Sequence, residues 1–381
     1  MRRTACRSLS ISTFDATLRA ARAGALFVGG VLVLLALLEA GLRLLPTLSG
    51  LAPNPDTQAW PLRSYEASRR YQYSAGWAML NAHRGTTNNY GHIAPFDFHK
   101  GSRPAIVIGD SYVESLMNDY SDTLQGVLGS RLGPGKPVYG LGVSALSASD
   151  YVKLAEQARR EFEPTAAIFL ITDGDMIESL VRRDGGYHLE HQGAGFALVY
   201  RPLSPNSVMQ GVRRAVGESA LYDYVRDNLK FSPSDVVRAL KWRHDAAAPT
   251  DPDGKSSRES RQVAEWFLDE LPRATGVAPE CTLLLLDADR YAIYEPGAAS
   301  KPKDSPEVRL LLLERGRALG FRVIDLGPLF DAEYARTKLK LDYWPVDRHW
   351  NRRGHAVAAD AVMSTLFQDS AAQCAPGAAA G

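Results

Sequence analysis

Residues 105–115 read AIVIGDSYVES, and the fold turns on this run. A short apolar stretch, AIVI, is stopped by Gly109, and Asp110 and Ser111 then stand where a helix starts, which is a strand–turn–helix signature. Working outward, the same alternation repeats. A helical stretch through TLQGVLGSRL (123–132) precedes the apolar run VYGLG (138–142), and a helix through DYVKLAEQARREF (150–162) precedes AAIFLIT (166–172). It resumes after residue 280 with CTLLLLDA, a helix through PEVRLLLLERGRALG, the strand FRVIDL and a final helix from Asn351 to about Phe367. Strand and helix in alternation predict an α/β fold: a three-layer arrangement with a parallel sheet between two helical layers. Between the halves, residues 182–258 lack the pattern and read as an insertion. It holds a hairpin (YHLEHQGAGFALVYRP), two amphipathic helices and the loop DAAAPTDPDGKSS, placed over the edge or mouth of the sheet.

Towards the amino terminus, residues 64–100 are rich in Tyr, Asn and Gly and suit short edge strands and turns; no chemistry is assigned to them. Pro46, Pro53, Pro55 and Pro61 make residues 46–63 an extended stalk. Before it, AGALFVGGVLVLLALL (23–38) carries no charge, and with Glu39, Arg43 and the leucines to Leu45 it reaches the ~20 residues that a spanning helix requires. Glu39 and Arg43 lie one helical turn apart, where they can pair near the headgroups. Arg2, Arg3, Arg7, Arg19 and Arg22 against Asp15 put +4 ahead of the apolar run, so the positive-inside rule sets residues 1–22 in the cytoplasm and the remainder outside it. The rival reading is a cleaved signal peptide. The expected division is thus an arm (1–22), a transmembrane helix (23–45), a stalk (46–63), an α/β domain (64–370) and a flexible tail (371–381).

Composition narrows the function. At 45% hydrophobic and 23% charged the chain is neither disordered nor fibrous, and a formal charge of +1 overall leaves −3 after the arginine-rich arm, which excludes a nucleic-acid binder. Three cysteines leave Cys281 and Cys374 as the pair that an oxidising compartment could join, Cys6 being cytoplasmic. Neither lies beside a histidine at a ligand spacing, so no metal and no cofactor is expected.

The chemistry-bearing residues are Ser111, His349 and Asp347. At the carboxyl edge of a strand the Ser111 hydroxyl is exposed, and its own N–H, at a helix start, points where an oxyanion would form. Of eight histidines, only His349 sits in a suggestive setting, VDRHWNRRGHAVAADAV, after the last strand and leading into the last helix. Asp347, two residues earlier, can fix the ring's tautomer while the other nitrogen takes a serine proton. Several other polar residues receive plainer readings. Asp175 reads as an N-cap more than a site residue, His355 as structural, His188 and His191 as surface residues of the hairpin, and Arg182, Arg183, Arg348, Arg352 and Arg353 as solvated.

On these motifs the chain resembles the SGNH, or GDSL-type, hydrolase superfamily over roughly Pro104 to Phe367. The first block is Gly109, Asp110 and Ser111, and the last is Asp347 and His349 followed by Trp350, Asn351, Gly354 and His355. The family more often sets the aspartate three residues before the histidine; the D-x-H-W form here resembles the alginate-acetylation-type and other polysaccharide-modifying members. Gly140, Gly142 and Ser144 resemble the second block, with Ala145 where the family usually has its oxyanion glycine. The third block, usually Gly-x-Asn-Asp, is Asp173, Gly174 and Asp175, and an ionised aspartate does not donate. The resemblance implies an oxyanion site drawn from Ser111, Gly142, Ala145 and Gly174. It further implies a serine esterase or O-acyltransferase of the inner membrane, its domain periplasmic, acting on acyl esters of a cell-envelope polysaccharide, with an integral membrane acyl donor as a partner for transfer. A catalytically weak glycan-binding scaffold and a lipid esterase remain as alternatives.

Overall fold

The computed structural model describes residues 8–54, 62–193, 195–202, 217, 219–231, 255–295, 303–368 and 374–377. Helix α1 (Ser8–Arg43) carries the apolar stretch, and its 25 residues Arg19–Arg43 are long and apolar enough to cross a membrane, a property shared by signal sequences. The helix starts well before residue 23 and ends at Arg43, whose Nε donates to Glu39 across one turn at 2.7 Å.

The segment that follows is not a free stalk. Thr47 is buried, Ser49 forms an antiparallel bridge with Gln72, and the Gln72 side-chain amide donates to the carbonyls of Leu45 and Thr47 at 3.2 and 3.1 Å. Prolines forbid a helix here, but extended backbone with open polar groups is suited to pairing with a strand edge. Residues 55–61 of the expected stalk lie outside the described residues. Strands β1 (Arg70–Ala75) and β2 (Leu80–Thr86) then make an antiparallel hairpin of their own, separate from the main sheet.

From Ala105 the alternation appears as expected. It begins with β3 (Ala105–Gly109), the one-turn α2 (Ser111–Glu114), α3 (Leu124–Leu132) and β4 (Val138–Gly142). Helix α4 (Ala148–Phe162), β5 (Ala166–Ile171) and the one-turn α5 (Asp175–Glu178) follow. The insertion contributes the hairpin β6 (Gly186–Gln192) and β7 (Gly195–Arg201), then α6 (Ala220–Asp223) continued by a π-helical turn over Tyr224–Asn228. The rest of it, including most of the loop from residue 245, lies outside the described residues until α7 (Lys255–Thr275). The second half holds β8 (Thr282–Leu286), α8 (Arg290–Tyr294), α9 (Pro306–Ala318), β9 (Arg322–Asp325), α10 (Leu326–Thr337) and α11 (Arg352–Val362).

The five main strands lie in the order β4-β3-β5-β8-β9, all parallel, which is the flavodoxin-like order 2-1-3-4-5. Every residue of β3, β4, β5 and β8 is buried, as a sheet covered on both faces demands. Helices α4, α7 and α9 pack side by side as one layer, and α3, α11 and α10 as the other. Each Leu or Ile so enclosed contributes roughly 1.5–3 kcal/mol of transfer free energy, which is why the apolar runs alone fixed the strands. Cys281, ahead of β8, is bonded to Cys374 with Cα atoms 5.3 Å apart, and Gly377 N–H donates to Arg103 O at 2.9 Å. The expected flexible tail is therefore fastened down at residues 374–377, because Cys374 is buried against the core.

Candidate active site

Ser111 opens α2 at the carboxyl end of β3, next to β5. In this strand order that is the switch point, where crossovers leave in opposite directions. The turn is tight because Gly109 has no Cβ; one built there would meet Val113 at 2.5 Å. Asp110 caps the helix, its Oδ1 accepting the Tyr112 N–H at 2.9 Å, and its Oδ2 accepts the Thr172 hydroxyl at 3.2 Å. Burial raises the Asp110 pKa against those hydrogen bonds.

His349 arrives from a loop 238 residues downstream, and its Nε2 lies 2.7 Å from Ser111 Oγ. Its Nδ1 lies 2.5 Å from Asp347 Oδ1, which also accepts the His349 backbone N–H at 3.0 Å. A carboxylate only accepts, so Nδ1 carries the ring proton and Nε2 is left to accept from the serine hydroxyl. Burial would raise the Asp347 pKa, but the His349 ring and backbone N–H and the Tyr73 hydroxyl outweigh it and bring the carboxyl down to about 2. Tyr73 O–H donates to Asp347 Oδ2 at 3.2 Å. The three expected site residues are brought together, and a tyrosine from β1 joins them.

The loop that carries His349 is fixed from beneath. Arg290, 5% exposed, sits between Asp287 and Asp342, donating to Asp342 Oδ2 at 2.9 Å and also to Asp287. The same guanidinium donates to the Arg348 carbonyl and to Tyr112 Oη, each at 2.8 Å, while Tyr112 O–H donates to Arg348 O at 3.0 Å. Trp350 is fully buried, its Nε1 donating to Asp287 Oδ1 at 2.9 Å and its ring edge-on to Tyr112 and Phe330. The residues flanking His349 are thus held on both sides, which sets its ring against Ser111.

The oxyanion side differs from expectation. Gly142 ends β4 in register with Gly109, and a Cβ there would meet Glu114 N at 2.4 Å, so its bareness lets α2 approach. Glu114, buried, accepts from Tyr65 O–H at 2.5 Å and Ser144 N–H at 3.2 Å, and also from the Ser144 hydroxyl. Burial raises its pKa against these bonds. They hold the loop at Ala145, an exposed residue at φ 65°, whose carbonyl accepts from Arg183 at 2.7 Å. Gly174 does not serve as an oxyanion donor. Its N–H is given to Asp304 Oδ2 at 3.0 Å, and Asp304 also takes the N–H groups of Met176 (3.2 Å) and Ile177 (2.9 Å), so a carboxylate already occupies the start of α5. Asp173 likewise accepts from the backbone of Lys303 and Asp304. Among the described residues, the Ser111 and Ala145 N–H groups keep no protein acceptor.

Other polar residues resolve as follows. Asp175 is buried and accepts from Thr172 N–H (2.7 Å) and Tyr151 O–H (3.1 Å), and shares the single Thr172 hydroxyl proton, also 3.2 Å away, with Asp110, which ties β5 to α4. His355, expected to be structural, is buried. Its Nδ1 accepts Leu124 N–H at 3.1 Å, so Nε2 is the donor to Ser115 Oγ, 2.9 Å away, and cannot act as that serine's base. Burial lowers its pKa to about 3. His188 is buried, not on the surface: the hairpin folds its side chain inward, with Nε2 3.1 Å from Glu190. Arg183 is engaged with Glu178 and Ala145 rather than solvated.

No family model matches the chain, and no curated protein matches it. Among solved structures, LAE5, an α/β hydrolase enzyme from the metagenome of Lake Arreo, Spain, is 16% identical, covering 72% of this chain and 99% of that one with a TM-score of 0.37. A member of the lipolytic protein G-D-S-L family from Veillonella parvula DSM 2008 is 11% identical, covering 70% and 100%, with a TM-score of 0.35. The class defined by strand order and layers is an α/β protein with a five-stranded parallel sheet.

Proposed function

We propose that this chain is a serine esterase or O-acyltransferase with Ser111 as nucleophile, His349 as general base and acid, and Asp347 as the group that orients the ring and stabilises its cation. The observation that carries the reading is the continuous chain of contacts, Ser111 Oγ to His349 Nε2 at 2.7 Å and His349 Nδ1 to Asp347 Oδ1 at 2.5 Å. As Ser111 Oγ bonds to an ester carbonyl carbon, its proton passes to Nε2. The oxyanion takes the Ser111 and Ala145 N–H groups. Collapse breaks the carbon–oxygen bond of the leaving alcohol, which receives the proton from His349. The acyl-serine is then attacked by water or by an acceptor hydroxyl, deprotonated by the same ring.

Two backbone donors and no asparagine make a leaner hole than the family resemblance implied. The absence of one donor costs about 3–4 kcal/mol where it has been measured, so slow turnover of simple esters is expected. The substrate we propose is an acetyl ester of a cell-envelope polysaccharide, with an integral membrane acyl donor when the reaction is a transfer. The location we propose is the inner membrane with the domain outside the cytoplasm. Supporting this are the arginines ahead of the apolar stretch and the Cys281–Cys374 bond, which an oxidising compartment maintains. Acetate release from acetylated polysaccharide by the full-length protein tests the reading. Wild type should release acetate and Ser111→Ala should not; equal release by both, or by neither, overturns it.

A further inference from the structure

The turn between β1 and β2 leaves Trp77 78% exposed, with Leu80 beside it, and the chain after the π-helical turn exposes Leu229 and Phe231. The two segments adjoin. Tyr224 O–H donates to Trp77 O at 2.9 Å, and the Asn228 amide donates to Ser74 O at 3.1 Å and Gly76 O at 3.4 Å. The surface is also joined to the end of the apolar helix. Glu39 of α1 accepts the N–H groups of Ala220 (3.1 Å) and Leu221 (2.9 Å) and the Ser219 hydroxyl (2.7 Å), and Asn228 Oδ1 accepts Leu48 N–H at 2.9 Å. Leu44, 87% exposed, and Leu45 lie in the link between helix and domain.

Soluble surfaces rarely group a tryptophan, a phenylalanine and several leucines in the open, whereas aromatic rings with a polar edge favour the boundary between lipid tails and headgroups. Lys230, exposed between Leu229 and Phe231, suits the same boundary, where anionic headgroups attract it. We propose that this surface, formed by the β1–β2 turn and residues 219–231, rests on the lipid bilayer that α1 crosses. The domain is then seated in one orientation instead of swinging on a tether. This rests on reading α1 as a membrane span. Tyr73, which reaches Asp347, is four residues from Trp77 along the hairpin, so even fully extended chain would set its Cα no more than roughly 13 Å from that of Trp77. An acyl ester or acceptor presented close to the membrane surface reaches the catalytic groups without the domain moving.

Spin labels in the full-length chain test the seating, in a Cys6→Ser background and in vesicles of phosphatidylethanolamine and phosphatidylglycerol. One label is placed through Trp77→Cys, one through Phe231→Cys with Trp77 intact, and one through Leu34→Cys within α1. Seating predicts that labels at 77 and 231 lose accessibility to a water-soluble nickel chelate and gain accessibility to oxygen when detergent is replaced by bilayer. The label at 34 is oxygen-accessible and deeper. Nickel-accessible labels at 77 and 231 beside an oxygen-accessible label at 34 overturn the seating while the span stands. Nickel access at all three overturns both.

Discussion

Replacing Asp347 with Asn keeps the shape of the side chain and removes its charge, and its consequence can be worked from the contacts. The carboxyl is drawn from 3.8 to about 2, against the upward pull of burial, by the His349 ring and N–H and by Tyr73. At about 1.4 kcal/mol per pH unit this is worth roughly 2–3 kcal/mol of preference for the ionised form, so a full negative charge faces the imidazolium formed during attack. An amide supplies none of that charge and lets the ring take the wrong tautomer, which in comparable triads lowers kcat by about 10⁴. The expected loss for Asp347→Asn is thus between about 10² and 10⁴ in kcat with KM little changed. It is measured by single-turnover hydrolysis of a chromogenic acetyl ester. A variant within threefold of wild type would refute the reasoning. The sign for stability follows from a depressed folded-state pKa. The contribution is complete above the unfolded value near 4 and is lost as pH falls towards about 2, so the Asn variant should lack that part of the acid unfolding curve.

Tyr73→Phe removes one donor from Asp347 without opening the hairpin; kcat should fall by about threefold to tenfold with an unchanged thermal midpoint, measured by paired kinetics and melting. Arg290→Ala leaves Asp287 and Asp342 buried without their cation, and should cost about 3–5 kcal/mol in urea unfolding; Arg290→Lys should recover part of that stability but not the hold on Arg348 O. Reducing or replacing the Cys281–Cys374 bond, which closes a span of 93 residues, should lower stability by about 2–4 kcal/mol while leaving the active-site contacts in place, read by melting with and without reductant.

The strands were legible because each is a short apolar run buried on both faces, so composition and position say the same thing. Ser111, His349 and Asp347 were legible because strand ends and local spacing constrain them. Tyr73 was not, since its partner lies 274 residues away and a tyrosine in a Tyr-rich hairpin carries no local mark. Arg290 was hidden for a similar reason: its aspartates, Asp287 and Asp342, and the carbonyl it holds are gathered only by folding. The oxyanion role that the resemblance implied for Gly174 is not met, since nothing in its own block reveals that Asp304 takes its N–H. The link after α1 misled because prolines exclude helix but not pairing with an edge.

The most direct measurement maps a fluorophosphonate adduct on the full-length protein by peptide mass spectrometry. The account predicts one adduct, on the peptide containing Ser111, strongly reduced in His349→Ala and absent in Ser111→Ala. An adduct on Ser115 or Ser144 instead, or none on the wild-type protein, would contradict it.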